Sequence, residues 1–165
     1  MDNRIIIQNS IDYIENNLKT EITANELADM AGFSIFHYYR LFQSAVGIPV
    51  MQYIVYRKLI HAIYEIGCGA KMTDIALVYG FDTYAGFYRA FKREFSCTPS
   101  AFLQEHNPKK PYKINLFQEA HIMITHKKIA EILKYWSLEN EIISDIYYEG
   151  SRNRNENAYY IGAEY

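Results

Sequence analysis

The chain has 165 residues, half of them hydrophobic and 22% charged, enough for one full domain or a small domain with an appendage and too little charge for a disordered chain. Net charge is −2, with nine basic and eleven acidic side chains in residues 1–106 and eight of each in 107–165, so any nucleic-acid surface has to be a local patch rather than a global field. The N-terminal apolar run of three isoleucines is too short for a signal peptide, no stretch approaches the apolar length of a membrane span, and Cys68 and Cys97 lack metal-type spacing, a combination that fits a reduced cytoplasmic protein.

Along the chain, "IIIQNSIDYIENNL" places Ile7, Ile11, Ile14 and Leu18 on one face, which predicts an amphipathic first helix. Thr23-Ala24-Asn25-Glu26 reads as a capping box that starts a second helix, with Leu27, Ala28 and Ala31 facing its neighbour. Gly32, free to adopt positive φ, ends that helix; Phe33 plugs the angle and Ser34 caps a third helix. There Tyr38, Leu41, Phe42 and Ala45 fall at i, i+3, i+4 and i+7 and form the buried stripe. A long helix from about Val50 to Ile66 follows, ended by Gly67 and Gly69. Ile75, Ala76, Tyr79, Gly80 and Phe81 then repeat the helix and its turn, Asp82 or Thr83 supplies the next cap, and Phe87, Ala90, Phe91 and Phe95 make another apolar stripe. About seven helices and no strand are expected by residue 106.

Asn107-Pro108-Lys109-Lys110-Pro111 has the composition of a linker. Beyond it the pattern predicts a strand near Lys113 to Phe117 and a helix from about Thr125 to Trp136. "ISDIYYEG", the polar "SRNRNEN" and "AYYIGAEY" read as a hairpin. The stop at Tyr165, in mid-pattern, reads as a truncation.

Laid against itself, the chain repeats once. Ala28, Gly32 and Phe33 match Ala76, Gly80 and Phe81 at an offset of 48, and Arg40, Phe42 and Tyr53 match Arg89, Phe91 and Phe102 at 49. One residue has entered the second copy just after its Gly-Phe. Each copy is helix, tight turn, helix: a duplicated helix-turn-helix by spacing and by mechanism.

From Ile5 to His106 the chain resembles the AraC/XylS family of bacterial transcription regulators, whose DNA-binding domain is two helix-turn-helix units joined by a linker helix. The most specific stretch is "GFDTYAGFYRAFKREFSCTPSAF", similar to the family signature of Gly-Phe, an aromatic, Arg, Phe-Lys and a closing Thr-Pro; "YRKLIHAIYEI" resembles the linker helix. Ser96 departs from the pattern, standing where the signature has glycine and where the first copy has Gly47. The implied architecture is mainly α: two helix-turn-helix subdomains joined by a linker helix, homeodomain-like, plus a short α/β C-terminal extension. The expected boundaries are 1–106 for the DNA-binding domain, 107–111 for the linker, and 112–165 for an extension that is the start of a sensor or kinase-like domain. The hairpin in that extension resembles the start of aminoglycoside-phosphotransferase-like kinases, but no catalytic Asp set or metal ligands follow, so the chain is not expected to phosphorylate anything.

The helical wheel turns Phe36, Arg40 and Gln43 outward in the first unit, flanked by His37 and Tyr39. In the second it turns out Ala85, Tyr88, Arg89 and Lys92, with Tyr84 at the helix entry and Arg93 adjacent. The family resemblance implies that each second helix lies in the major groove of double-stranded DNA, at an asymmetric promoter site. Phe36, Tyr39 and Arg40 would then approach bases, Arg40 pairing with guanine and Phe36 touching a thymine methyl. Arg89 is the leading candidate for base readout, and Gln43, Lys92 and Arg93 for phosphates. The plainer readings are that Arg40 and Arg89 are solvated or paired with Glu94 or Asp82, and that Phe36 and Tyr39 are ordinary surface aromatics. Arg57 is read as a structural ion-pair partner, His61 and His106 as helix-surface and terminal residues. His121 and His126 are five apart, off any helical metal pair, and neither metal nor cofactor is assigned. RNA polymerase and a small-molecule effector, acting through a C-terminal part beyond Tyr165, complete the expected partners. The rival functions are the regulatory front of a fused phosphotransferase and a helical protein-interaction module without DNA affinity.

Overall fold

Three β-branched side chains at helical spacing start the core. In the computed structural model, which describes residues 3–117 with the pairs 122–123 and 159–160, helix α1 (Asn3–Asn16) buries Ile7, Ile11 and Ile14 completely, with Leu18 just beyond its end. It packs on α2 (Ala24–Ala31) and α3 (Ile35–Val46). The long α4 (Val50–Gly67) follows, then α5 (Met72–Val78), α6 (Tyr84–Phe95) and α7 (Pro99–Glu105). Helix α4 meets α3 on one side and α5, α6 and α7 on the other. That position explains why its buried residues, among them Val50, Tyr53, Tyr56, Leu59, Ala62 and Ile63, run around the cylinder rather than along one stripe. Two short strands, β1 (Ile122–Met123) and β2 (Tyr159–Tyr160), pair antiparallel. The helix expected from Thr125 to Trp136 and the "ISDIYYEG" strand lie outside the described residues.

The two copies share their turn chemistry atom for atom. After α2, Gly32 adopts φ 71°; its N–H donates to the Asp29 carbonyl and the Phe33 N–H to the Ala28 carbonyl, both at 3.0 Å. After α5, Gly80 adopts φ 78°; its N–H donates to the Leu77 carbonyl at 2.9 Å and the Phe81 N–H to the Ala76 carbonyl at 3.0 Å. A side chain at either glycine would be strained in this left-handed conformation, which is why Gly-Phe marks both turns. The second shared stop is less comfortable. Gly47 ends α3 at φ 90°, but its counterpart at the end of α6 is Ser96 at φ 58°, the one positive-φ residue other than glycine among the described residues.

The capping box of α2 is half formed. Thr23 accepts from the Glu26 N–H at 3.2 Å, but the Glu26 carboxylate accepts from the Tyr13 hydroxyl instead of returning to the cap. Tyr13 reaches across from α1, so the carboxylate ties two helices together rather than one helix end.

A charged hub lies between α1 and α4. Arg57, fully buried, donates through Nε and Nη2 to the two oxygens of Glu15, at 2.5 and 2.7 Å. The Tyr53 hydroxyl donates to the same carboxylate at 3.1 Å. The ion-pair role expected of Arg57 is therefore met. His61 is no plain surface residue: half-buried, it brings Nε2 to 3.4 Å from Glu15 Oε2. Burial works to raise the Glu15 carboxyl, but His61 and Arg57 outweigh it and hold it down at about 2. His106 sets its ring edge-on against Phe102, 4.7 Å between centroids.

The segment after α7 is not a strand where one was expected. From Lys113 to Phe117 it follows α1 with no ladder partner among the described residues, because side chains of the helices take its backbone groups. Gln8 accepts from the Leu116 N–H at 2.7 Å and donates to the Ile114 carbonyl at 2.9 Å, while Arg57 donates to the Tyr112 carbonyl at 2.7 Å. Ile114 and Leu116 join the helical core, and Lys113 pairs with Asp12 at 3.2 Å.

Candidate nucleic-acid interface

Helices α3 and α6 are the second helices of the two units, and each is launched by a hydroxyl cap. Ser34 Oγ accepts from the His37 N–H at 3.4 Å, and Thr83 Oγ1 from the Gly86 N–H at 3.0 Å, which settles the cap of α6 on Thr83 rather than Asp82. From those starts the helical period fixes what points where. Tyr38 and Phe42 in α3, and Phe87 and Phe91 in α6, are wholly buried, as expected of the inward stripe. Rings lock the second stripe: Phe91 lies 4.3 Å from Phe95 and 5.6 Å from Phe102, centroid to centroid, and Phe81 meets Phe87 edge-on at 5.4 Å. Leu41, Ala45 and Ala90, at the margins of the stripes, are half-buried.

On the outer side, Phe36, His37, Arg40 and Gln43 of α3 are exposed, as are Tyr84, Ala85, Arg89, Lys92 and Arg93 of α6. Phe36 is 80% exposed, more than any other large hydrophobic side chain among the described residues. Tyr39 and Tyr88 are half-buried at the flanks, Tyr39 packed against the core and Tyr88 edge-on to Tyr84 at 6.1 Å. His37 rests its ring 4.6 Å from that of Phe33, inside the turn. Neither Arg40 nor Arg89 has an ion pair among the described residues; Glu94 pairs with Arg93 instead, at 3.2 Å. Gly86 sits in the first turn of α6, where an added Cβ would meet Thr83 Oγ1 at 3.4 Å, an ordinary contact.

Charge is segregated onto these two helices. Of the nine basic side chains in residues 1–106, Arg40, Arg89, Lys92 and Arg93 lie on α3 and α6; of the eleven acidic ones, only Glu94 does. An acidic molecule thus carries a local basic and aromatic surface on α3 and α6. The sequence pattern identified this outward face. It anticipated Arg57 as an ion-pair partner but not its partner Glu15, and it missed the Gln8 clamp, because these partners are 42 and more than 100 residues apart and no periodicity announces such pairs.

Residues 27–105 match the family model described as a helix-turn-helix domain. The chain is 34% identical over 98 residues to the Transposon Tn10 TetD protein of Escherichia coli, covering 59% of this chain and 71% of that one. It is 32% identical over 98 residues to the HTH-type transcriptional activator AarP of Providencia stuartii, covering 59% and 73%. With an uncharacterized HTH-type transcriptional regulator of Bacillus subtilis, YbfP, identity is 34% over 97 residues, but the match spans only 33% of that longer protein. Among solved structures, the DNA-binding domain of AdpA, determined in complex with a target DNA, superposes with a TM-score of 0.55 at 18% identity, covering 59% of this chain and 89% of that one. The C-terminal domain of AraT, a response regulator from Geobacillus stearothermophilus, gives 0.56 at 19%, covering 70% and 93%. These two likenesses concern the fold.

Proposed function

The chain belongs to the AraC/XylS family of sequence-specific, DNA-binding transcription regulators, and on that premise we propose that α3 and α6 enter successive major-groove segments of one asymmetric site. The observation that carries this reading is the gathering of four cations onto the outer faces of α3 and α6 in a molecule that is otherwise acidic. Arg40 and Arg89 read bases, in geometry suited to guanine O6 and N7. Phe36 offers an apolar contact to a thymine methyl, and Ala85 with Gly86 leaves a low surface at the entry of α6. Tyr39, Tyr84 and Tyr88 border the two faces, while Gln43, Lys92, Arg93 and His37 hold phosphates and so fix register. Because the two copies differ in sequence, one chain reads a site without two-fold symmetry. The same reading gives a cytoplasmic location, with RNA polymerase and a small-molecule effector as the next partners to test.

Selection of genomic DNA fragments on the purified chain tests this directly, followed by anisotropy titrations of the enriched site across a salt series. The expected result is enrichment of a shared motif and a log–log salt slope of about −3 to −5, the value for a few phosphate contacts. Lys92→Ala should reduce that slope by about 0.9 and weaken all sequences alike, whereas Arg89→Ala should relax the preference at one base pair. Recovery of no motif, with binding equal on random DNA, would contradict sequence-specific readout.

A further inference from the structure

Two reading heads discriminate the spacing of a site only if the angle between them is held, and contacts beside the linker helix bear on that angle. Lys58 and Glu65 are seven residues apart on α4 and therefore share a face. Each of them reaches the corner of the first unit where α1 turns into α2, and each stands beside the turn that ends α5 in the second. Lys58 donates through Nζ to the Thr20 carbonyl at 3.0 Å, and a Cβ on Gly80 would lie 3.3 Å from the same nitrogen. Glu65 accepts on one oxygen both the Lys19 ammonium, at 2.7 Å, and the Tyr79 hydroxyl, at 2.7 Å. Lys19 closes the arrangement by standing over the Tyr79 ring, 5.3 Å from its centroid. A side chain of the first unit thus touches a buried aromatic of the second, across a carboxylate of the linker. A cleft of about 230 Å³ lined by Glu15, Lys19, His61 and Tyr79 adjoins the contact.

We infer that this staple sets the angle between α3 and α6, making Lys19, Glu65 and Tyr79 positioning residues for the spacing specificity of the two-headed readout. The inference rests on the DNA-reading function for its consequence but not for its geometry, and the test has an arm for each.

In the first arm the full chain carries Cys68→Ser and Cys97→Ser with nitroxide labels on Gln43→Cys and Lys92→Cys, and dipolar spectroscopy without DNA measures the distances between α3 and α6. The parent should give one narrow distribution. Lys19→Ala should broaden or shift it, and Lys19→Arg, which keeps the charge and stacks on an aromatic face, should restore it. Lys19 is half exposed, so Lys19→Ala is expected to fold, which circular dichroism checks. Superimposable distributions for the parent and Lys19→Ala would overturn the inference.

In the second arm the unlabelled chain is titrated onto its selected site and onto the same site with one base pair inserted between the two half-sites. The insertion moves the second groove by about 3.4 Å and a tenth of a turn. The parent should lose affinity on insertion. Lys19→Ala, which removes the ion pair and the cation–π contact, and Tyr79→Phe, which removes the hydroxyl's hydrogen bond to Glu65, should each lose about two- to fivefold less, the size expected for one such contact. Equal losses in parent and variants would overturn the inference. A parent that binds no DNA would instead sink the DNA-reading function, and the staple would then be judged on the distance distributions alone.

Discussion

At the scale of single residues, Ser96 and Glu15 carry opposite lessons. Ser96 holds the left-handed conformation that glycine adopts at the matching position, Gly47. An L-residue there costs about 1–2 kcal/mol, partly offset because glycine loses more freedom on folding. Ser96→Gly should therefore raise stability by about 0.5–1 kcal/mol and the melting temperature by a few degrees, read by thermal denaturation. A lower melting temperature would show that the serine side chain makes up for its backbone. Glu15 is stabilising through its charge. Its carboxyl is held at about 2 against an ordinary 4.5, so the folded state favours the carboxylate. That contribution, on the order of 3 kcal/mol, is fully present above pH 4.5 and is lost as pH falls toward 2. Urea denaturation from pH 7 to pH 2.5 should show stability falling through this window, with a flatter profile for Glu15→Gln. The variant should also be less stable at pH 7, because Arg57 is left buried without its counter-charge. Parallel pH profiles would rule out Glu15 as the source.

At the scale of elements, α6 combines a strong cap with a weak first turn. Thr83 satisfies the Gly86 N–H, while Gly86 itself lacks the helix preference of alanine by about 1 kcal/mol. Space is not the reason for the glycine, since a Cβ there would make only an ordinary contact. Gly86→Ala should therefore stabilise the fold by about 0.5–1 kcal/mol. Gly86→Leu should keep the helix but raise a side chain between Ala85 and Arg89, spoiling DNA binding more than folding. Denaturation and anisotropy on the same variant check this, and full affinity for Gly86→Leu would remove Gly86 from the reading face. The elements themselves were largely legible in the sequence. Gly-Phe after each first helix, hydroxyl caps and i, i+3, i+4 stripes are local requirements, and local requirements leave local patterns. The segment from Lys113 to Phe117 was not legible as it stands. Its alternation of Ile114 and Leu116 with Lys113 and Asn115 fits a strand, but Gln8 claims the Ile114 and Leu116 backbone groups from α1, and Arg57 takes the Tyr112 carbonyl just before them. Only the folded chain brings those side chains to it.

For the whole molecule, duplication explains both the architecture and the proposed activity. Each unit builds the same turn, buries aromatics at the same two positions and turns an arginine outward at the same place, and α4 buries residues around its circumference to hold them in one body. The candidate face was legible because a helix with one stripe buried must turn the opposite stripe outward. The partly buried flanks were not, since Tyr39 and Tyr88 stand where the period cannot separate support from contact. The central claim is that Arg40 and Arg89 read the same site from two heads. Anisotropy titration of the selected site with the parent, Arg40→Ala, Arg89→Ala and the double variant tests it most directly. Each single variant should lose about 1–3 kcal/mol of specific binding and relax one of two separate positions in the site, and the double variant should fall close to non-specific affinity. A double variant that bound the selected site as tightly as the parent would contradict the account.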